Sequence, residues 1–189
     1  MHEATAGTVP SYLLPHDIFR HVVAVTTTGN PTVPVGYALG AGAASGLVGG
    51  VGMGAVLHWG ANVMPLIGAL YGWPSVAGGW LAHLVNSALI GVVFAAVVTR
   101  PVLRRQTAST VGCATLGITF GAGVGLVTGG VMLPASLNLV GMDVLPEPTL
   151  PLPGVIGGIV VVLSIGVAHL VYGLLLGATF GYLYHGPYS

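Results

Sequence analysis

Four long apolar runs dominate this chain and leave it few ways to fold. Residues 36–64, 76–99, 110–134 and 155–184 contain no Asp, Glu, Lys or Arg. Each exceeds the roughly 20 residues that cross a hydrocarbon core about 30 Å thick. The pattern predicts an all-α protein, a four-helix transmembrane bundle with the lipid bilayer as its solvent. Composition points the same way. Of 189 residues 54% are hydrophobic and 4% charged, and there is no lysine. A soluble domain carries about a quarter of its residues charged. A formal net charge of zero gives no electrostatic case for nucleic acid.

Charge sets the expected topology. The cations are Arg20, Arg100, Arg104 and Arg105. One precedes the first run and three lie between the second and third, so with four spans all four share one side. The positive-inside rule makes that side the cytoplasm, with both termini there. The setting expected is a prokaryotic plasma membrane. The connections 65–75 and 135–154 then face outward, the second carrying Asp143 and Glu147. Tyr71, Trp73 and Trp80 flank the first of these, where aromatic rings favour the headgroup layer. No cleavable signal is evident in residues 1–35, so the first span is expected to act as its own insertion signal. Within that segment, SYLLPHDIFRHVVAV over 11–25 places His16, Asp17, Arg20 and His21 on one helical face. Leu14, Ile18, Val22 and Val25 fall on another, the pattern of a short interfacial helix. Four prolines at 146, 148, 151 and 153 make the second outer connection extended and semi-rigid.

The spans repeat. The second reads AHLVNSALIGVVFA from Ala82 and the fourth AHLVYGLLLGATFG from Ala168. His83 pairs with His169, Ser87 with Gly173, Gly91 with Gly177 and Ala95 with Gly181. The first span carries Gly42, Gly46, Gly50 and Gly54; the third carries Gly117, Gly121, Gly125 and Gly129. Matched in that order, Leu133 takes the place of His58. Four segments follow: 1–35, a cytoplasmic N-terminal segment; 36–99, a first two-helix repeat; 100–109, a cytoplasmic loop; 110–189, a second repeat. Each unit crosses twice, so the copies are parallel repeats about an axis along the membrane normal. Glycine every fourth residue matters because lipid tails are as apolar as leucine. Helices in lipid associate through close backbone contact, which small residues permit. A tight bundle is expected, with small surfaces that suit partner helices or self-association. The paired pattern, a glycine-rich span followed by one carrying AHLVYGLLLGATFG, resembles small prokaryotic membrane proteins of the YagU-like sort. That resemblance implies no reaction and carries over no functional residue.

Three histidines fall inside spans: His58, His83 and His169. Ionisable residues within a bilayer are costly and face an interior or a cavity. One reading makes His83 and His169 the axial ligands of a haem b, with small neighbours leaving room for the macrocycle. A second has His58, His83 and His169 hold copper or zinc, with Met64 or Met132 nearby. A third has neutral imidazoles hydrogen-bond across helices and lock the packing. No Arg or Lys lies in the outer half to meet haem propionates. Cys113 is alone, which excludes an intrachain disulfide. No span contains an acid, and no Ser/His/Asp set or phosphate-cradling loop occurs. Pro65 and Pro134 read as terminators at equivalent outer ends. The sequence therefore points to a non-catalytic membrane subunit or scaffold, within a redox complex on one reading. A haem b electron-transfer subunit and a small-solute channel are the alternatives.

Overall fold

Serine hydroxyls start two of the long helices. Ser75 Oγ accepts from the Gly78 N–H at 3.0 Å, and Ser109 Oγ from the Gly112 N–H at 3.1 Å. Each satisfies a donor that the first helical turn leaves unpaired. The computed structural model describes residues 33–133, 135 and 154–186. They form helices α1 (Val35–Ala61), α2 (Met64–Ala69), α3 (Val76–Val98), α4 (Thr110–Val127) and α5 (Gly154–His185). α4 runs on into a π-helical turn, Thr128–Met132. No strand occurs among the described residues. The helix expected over 11–25, Pro134 and nearly all of the proline-rich connection lie outside them.

Four helices are long and apolar enough to cross a membrane: α1, α3, α5, and α4 with its π turn. The chain is an all-α bundle of integral-membrane character. In lipid, a helix is the one open segment that satisfies its own backbone groups. The short helix α2 was not anticipated. Asn62 ends α1 in the left-handed region at φ 49°, and Pro65 falls in the first turn of α2. Proline is tolerated there, because that N–H has no helical partner anyway. Pro65 thus begins a helix rather than ending a span, and the first span stops at Ala61. The connection is no plain surface loop either. Met64, Leu66 and Gly68 are buried, and Gly79 of α3 packs directly on the Met64 backbone.

Within each half, glycines lie against the facing helix. Gly46 abuts Ser87 O and Gly91 Cα; Gly117 abuts Gly173 O and Gly177 Cα. Gly54 lies against the His83 ring, and Gly125 against the His169 ring. These contacts shift the sequence register by one turn. Gly46 matches Gly117, so His58 matches Gly129 and not Leu133. Glycine at every fourth position fits itself equally well one turn along, and only the facing helix decides. Phe94 and Phe180, equivalent by the same repeat, meet edge to face with centroids 5.6 Å apart, both fully buried. Tyr172 passes Gly49 to donate its O–H to Ser87 O at 2.8 Å.

The halves do not close into the expected tight bundle. α1 packs along α5, whereas α3 and α4, the equivalent pair, scarcely touch. Phe94 meets Phe120 across this side, ring centroids 5.3 Å apart.

Candidate functional site

Between α3 and α4 lies a cavity of about 410 Å³. It is bounded on one side by α2 and α3 and on the other by α4 and α5. Its polar lining includes Tyr71, His83, Asn86, Ser87, Thr128, His169 and Tyr172. Leu57, Leu66, Ile90, Ile165 and the thioethers of Met53 and Met132 make up much of the rest, and among the described residues no Asp, Glu, Lys or Arg takes part.

Both repeat histidines reach this cavity, held in different ways. The His83 Nε2–H donates to Gly50 O at 2.9 Å. A glycine has no side chain to shield its carbonyl, so an imidazole from the next helix can reach it. In the neutral ring Nδ1 is then an acceptor, and it has no hydrogen-bond partner among the described residues. His169 uses both nitrogens. Nδ1–H donates to Ile165 O at 2.8 Å, and Nε2 lies 2.9 Å from Thr128 Oγ1. A neutral ring takes the Thr128 O–H at Nε2. Val124 O, also 2.8 Å from that hydroxyl, keeps the Thr128 backbone N–H. Thr128 opens the π turn, a local widening that recurs where helices carry functional side chains.

Ser87 follows His83 by one turn and is 3% exposed. Its carbonyl accepts from Tyr172, while its hydroxyl has no partner among the described residues. Asn86 Nδ2 donates to Tyr71 Oη at 2.6 Å, which leaves the Tyr71 O–H uncommitted.

His58 stands apart from the cavity. Trp80 lies between it and His83, with ring centroids 6.2 Å from each. His58 Nδ1 is buried without a hydrogen-bond partner. The structure does not gather His58, His83 and His169 into one ligand set. No three metal-binding side chains come together among the described residues. Met64 is fully buried in the core, and Met132 lines the cavity.

For a bis-histidine haem the residues do not fit as they stand. Axial ligation needs one free nitrogen from each ring, directed at a shared centre. His83 Nε2 is turned to the α1 backbone and His169 Nε2 to Thr128. Among the described residues no cation lines the cavity for propionates.

Sequence reasoning placed the two histidines at equivalent positions and missed Thr128, Asn86 and Tyr71 as their neighbours. Polar residues inside apolar runs were the available signal. A comparison with protein-family models, curated proteins and solved structures finds no match.

Proposed function

We propose that this chain is a non-catalytic integral membrane subunit that works by packing against partner membrane helices. One observation carries the reading. Thr115, Thr119 and Gly123 follow one another at four-residue spacing along α4, and all three are exposed. Gly123 has nothing within 4 Å of where a side chain would begin. Both threonine hydroxyls donate to their own helix, Thr115 to Val111 O and Thr119 to Thr115 O, each at 3.0 Å. The face therefore presents small residues and no unpaired hydroxyl hydrogen, the kind of surface through which helices approach in lipid. α4 is also the least buried of the four long helices. Against a channel, Phe94, Phe180 and Tyr172 fill the region between the halves. On this reading, with a prokaryotic plasma membrane as the setting, the positive-inside rule assigns the arginine turn between α3 and α4, and with it both termini, to the cytoplasmic side.

The test is affinity purification from native membranes in mild detergent, with cross-linking and mass spectrometry. The wild-type chain should carry a stoichiometric membrane partner or a second copy of itself. Gly123→Leu should lose that partner while its melting temperature stays unchanged. A wild-type chain that runs alone and monomeric, in detergent and in nanodiscs, would overturn the reading.

A further inference from the structure

The cavity between α3 and α4 carries a separate inference, independent of any partner helix on α4. We infer that it binds an uncharged, bilayer-soluble phenol or quinol, with the ring hydroxyl seated between His83 Nδ1 and Ser87 Oγ.

Two side chains in that wall each keep one polar atom without a partner among the described residues, His83 Nδ1 and Ser87 Oγ. His83 is 6% exposed and Ser87 is 3% exposed, and both line the cavity. A few uncommitted polar atoms in an otherwise apolar cavity wall are the groups that fix and orient a small ligand. The Gly50 carbonyl fixes which nitrogen of His83 carries hydrogen, leaving Nδ1 as an acceptor. Ser87 Oγ offers a donor one helical turn away on the same face. One hydroxyl satisfies both at once: it donates its hydrogen to Nδ1 and accepts from the serine. A bare carbonyl would leave Nδ1 unpaired, and an ether would do the same.

The rest of the wall narrows the class. Among the described residues no charged side chain lines the cavity, so an ionised ligand would meet no counter-charge there. Its volume of about 410 Å³ lies in the range of small-molecule sites, with few polar groups in a mostly apolar wall. Met53 and Met132 line it, and thioethers make favourable contacts with aromatic rings. The uncommitted Tyr71 O–H, held by Asn86, supplies a donor for a second ring oxygen, as a quinol carries. The open α3–α4 side gives a tail a way into lipid.

The probe is 4-octylphenol, with 4-octylanisole as the same molecule lacking the hydroxyl hydrogen. The full chain is placed in nanodiscs, and uptake is measured by equilibrium dialysis against empty nanodiscs. Saturable binding of the phenol is expected, with the ether about tenfold weaker or worse, the loss of one buried hydrogen bond plus an acceptor left unpaired. Ser87→Ala should weaken phenol binding about fivefold at an unchanged melting temperature. Uptake no greater than by empty nanodiscs would overturn the inference. So would equal affinity for phenol and ether, or a Ser87→Ala variant that binds like wild type.

Discussion

α1 meets α5 through bare backbone, while the equivalent pair, α4 and α3, is held apart. On the first side, Gly49 lies against Tyr172 and Gly52 against Leu175. Carrying the contact register across the repeat, Gly49 becomes Phe120 and Gly52 becomes Gly123. Phe120 puts a ring against Phe94 where the first side has no side chain, and Gly123 has nothing near it. One large residue in place of one small one turns a helix contact into a wedge. The cavity is the space so opened. The repeat thus keeps its internal glycine crossings and varies what lies between the halves.

The largest effect should come from closing off the tight side. Leucine at Gly49 would drive its Cβ to within 2.9 Å of both the Tyr172 ring and its carbonyl. Backbone cannot move aside as a flexible side chain can. Gly49→Leu should cost about 3 kcal/mol or more and leave little folded protein, seen as loss of a monodisperse peak in detergent. A well-folded Gly49→Leu variant would show that the α1–α5 contact is not what holds the halves.

The wedge can be tested from the other side. Phe120→Ala removes a half-buried ring and should destabilise by about 2 kcal/mol, less than for a fully enclosed phenylalanine. It should also let α3 and α4 approach. Spin labels at the exposed Val97 and Val111, in a Cys113→Ala background, would report a shorter distance than in the parent. An unchanged distance would remove Phe120 as the cause of the gap.

Much of this was legible in the sequence, and the limits have physical causes. The four spans, the paired AHLV segments and the equivalence of His83 and His169 all follow from strings that differ sharply from their surroundings. The register of the first and third spans did not. A glycine ladder of period four cannot distinguish itself from its copy one turn along, so His58 was matched with Leu133 when its contact-level counterpart is Gly129. Nor did the sequence separate α2 from α1. Pro65 carries the same letter whether it stops one helix or starts the next, and the left-handed Asn62 decides which. The open α3–α4 side was hidden for a third reason. Phe120 reads as one more apolar residue in an apolar run, and its effect depends on facing Phe94 rather than lipid.

Smaller differences lie at the middle of each half. Asn86 and Tyr172 are repeat equivalents with opposite fates: Asn86 sits at the cavity mouth, and Tyr172 is 1% exposed. Tyr172→Phe deletes the O–H donated to Ser87 O and should cost about 1 kcal/mol. Asn86→Ala should stay within about 0.5 kcal/mol of wild type. Leu57 and Thr128 are likewise equivalent. Thr128→Val gives the second half an apolar group where the first has one, and strips His169 Nε2 of its partner. A loss of about 1 kcal/mol is expected, readable as a lower thermal midpoint. Equal midpoints for wild type and Thr128→Val would mean that His169 repairs the bond elsewhere.

The smallest effect on stability, and the most informative about function, belongs to Gly123. Two residues away, Gly121 is held so closely that an added Cβ would lie 2.5 Å from His169 O, while Gly123 meets nothing. The same helix thus offers an internal control. Gly121→Leu should fail to fold for the reason given for Gly49. Gly123→Leu should melt within about 0.5 kcal/mol of wild type, because the added side chain starts in open space. The isolated chain cannot feel the difference that matters. If a second helix approaches over Thr115, Thr119 and Gly123, leucine pushes it away by the width of a side chain, and association in lipid falls steeply with that distance. Comparing the two variants therefore separates folding from assembly: loss of folding at 121 with loss of assembly alone at 123 is the expected pair. Unchanged assembly in Gly123→Leu would turn the exposed face of α4 back into ordinary lipid-facing surface.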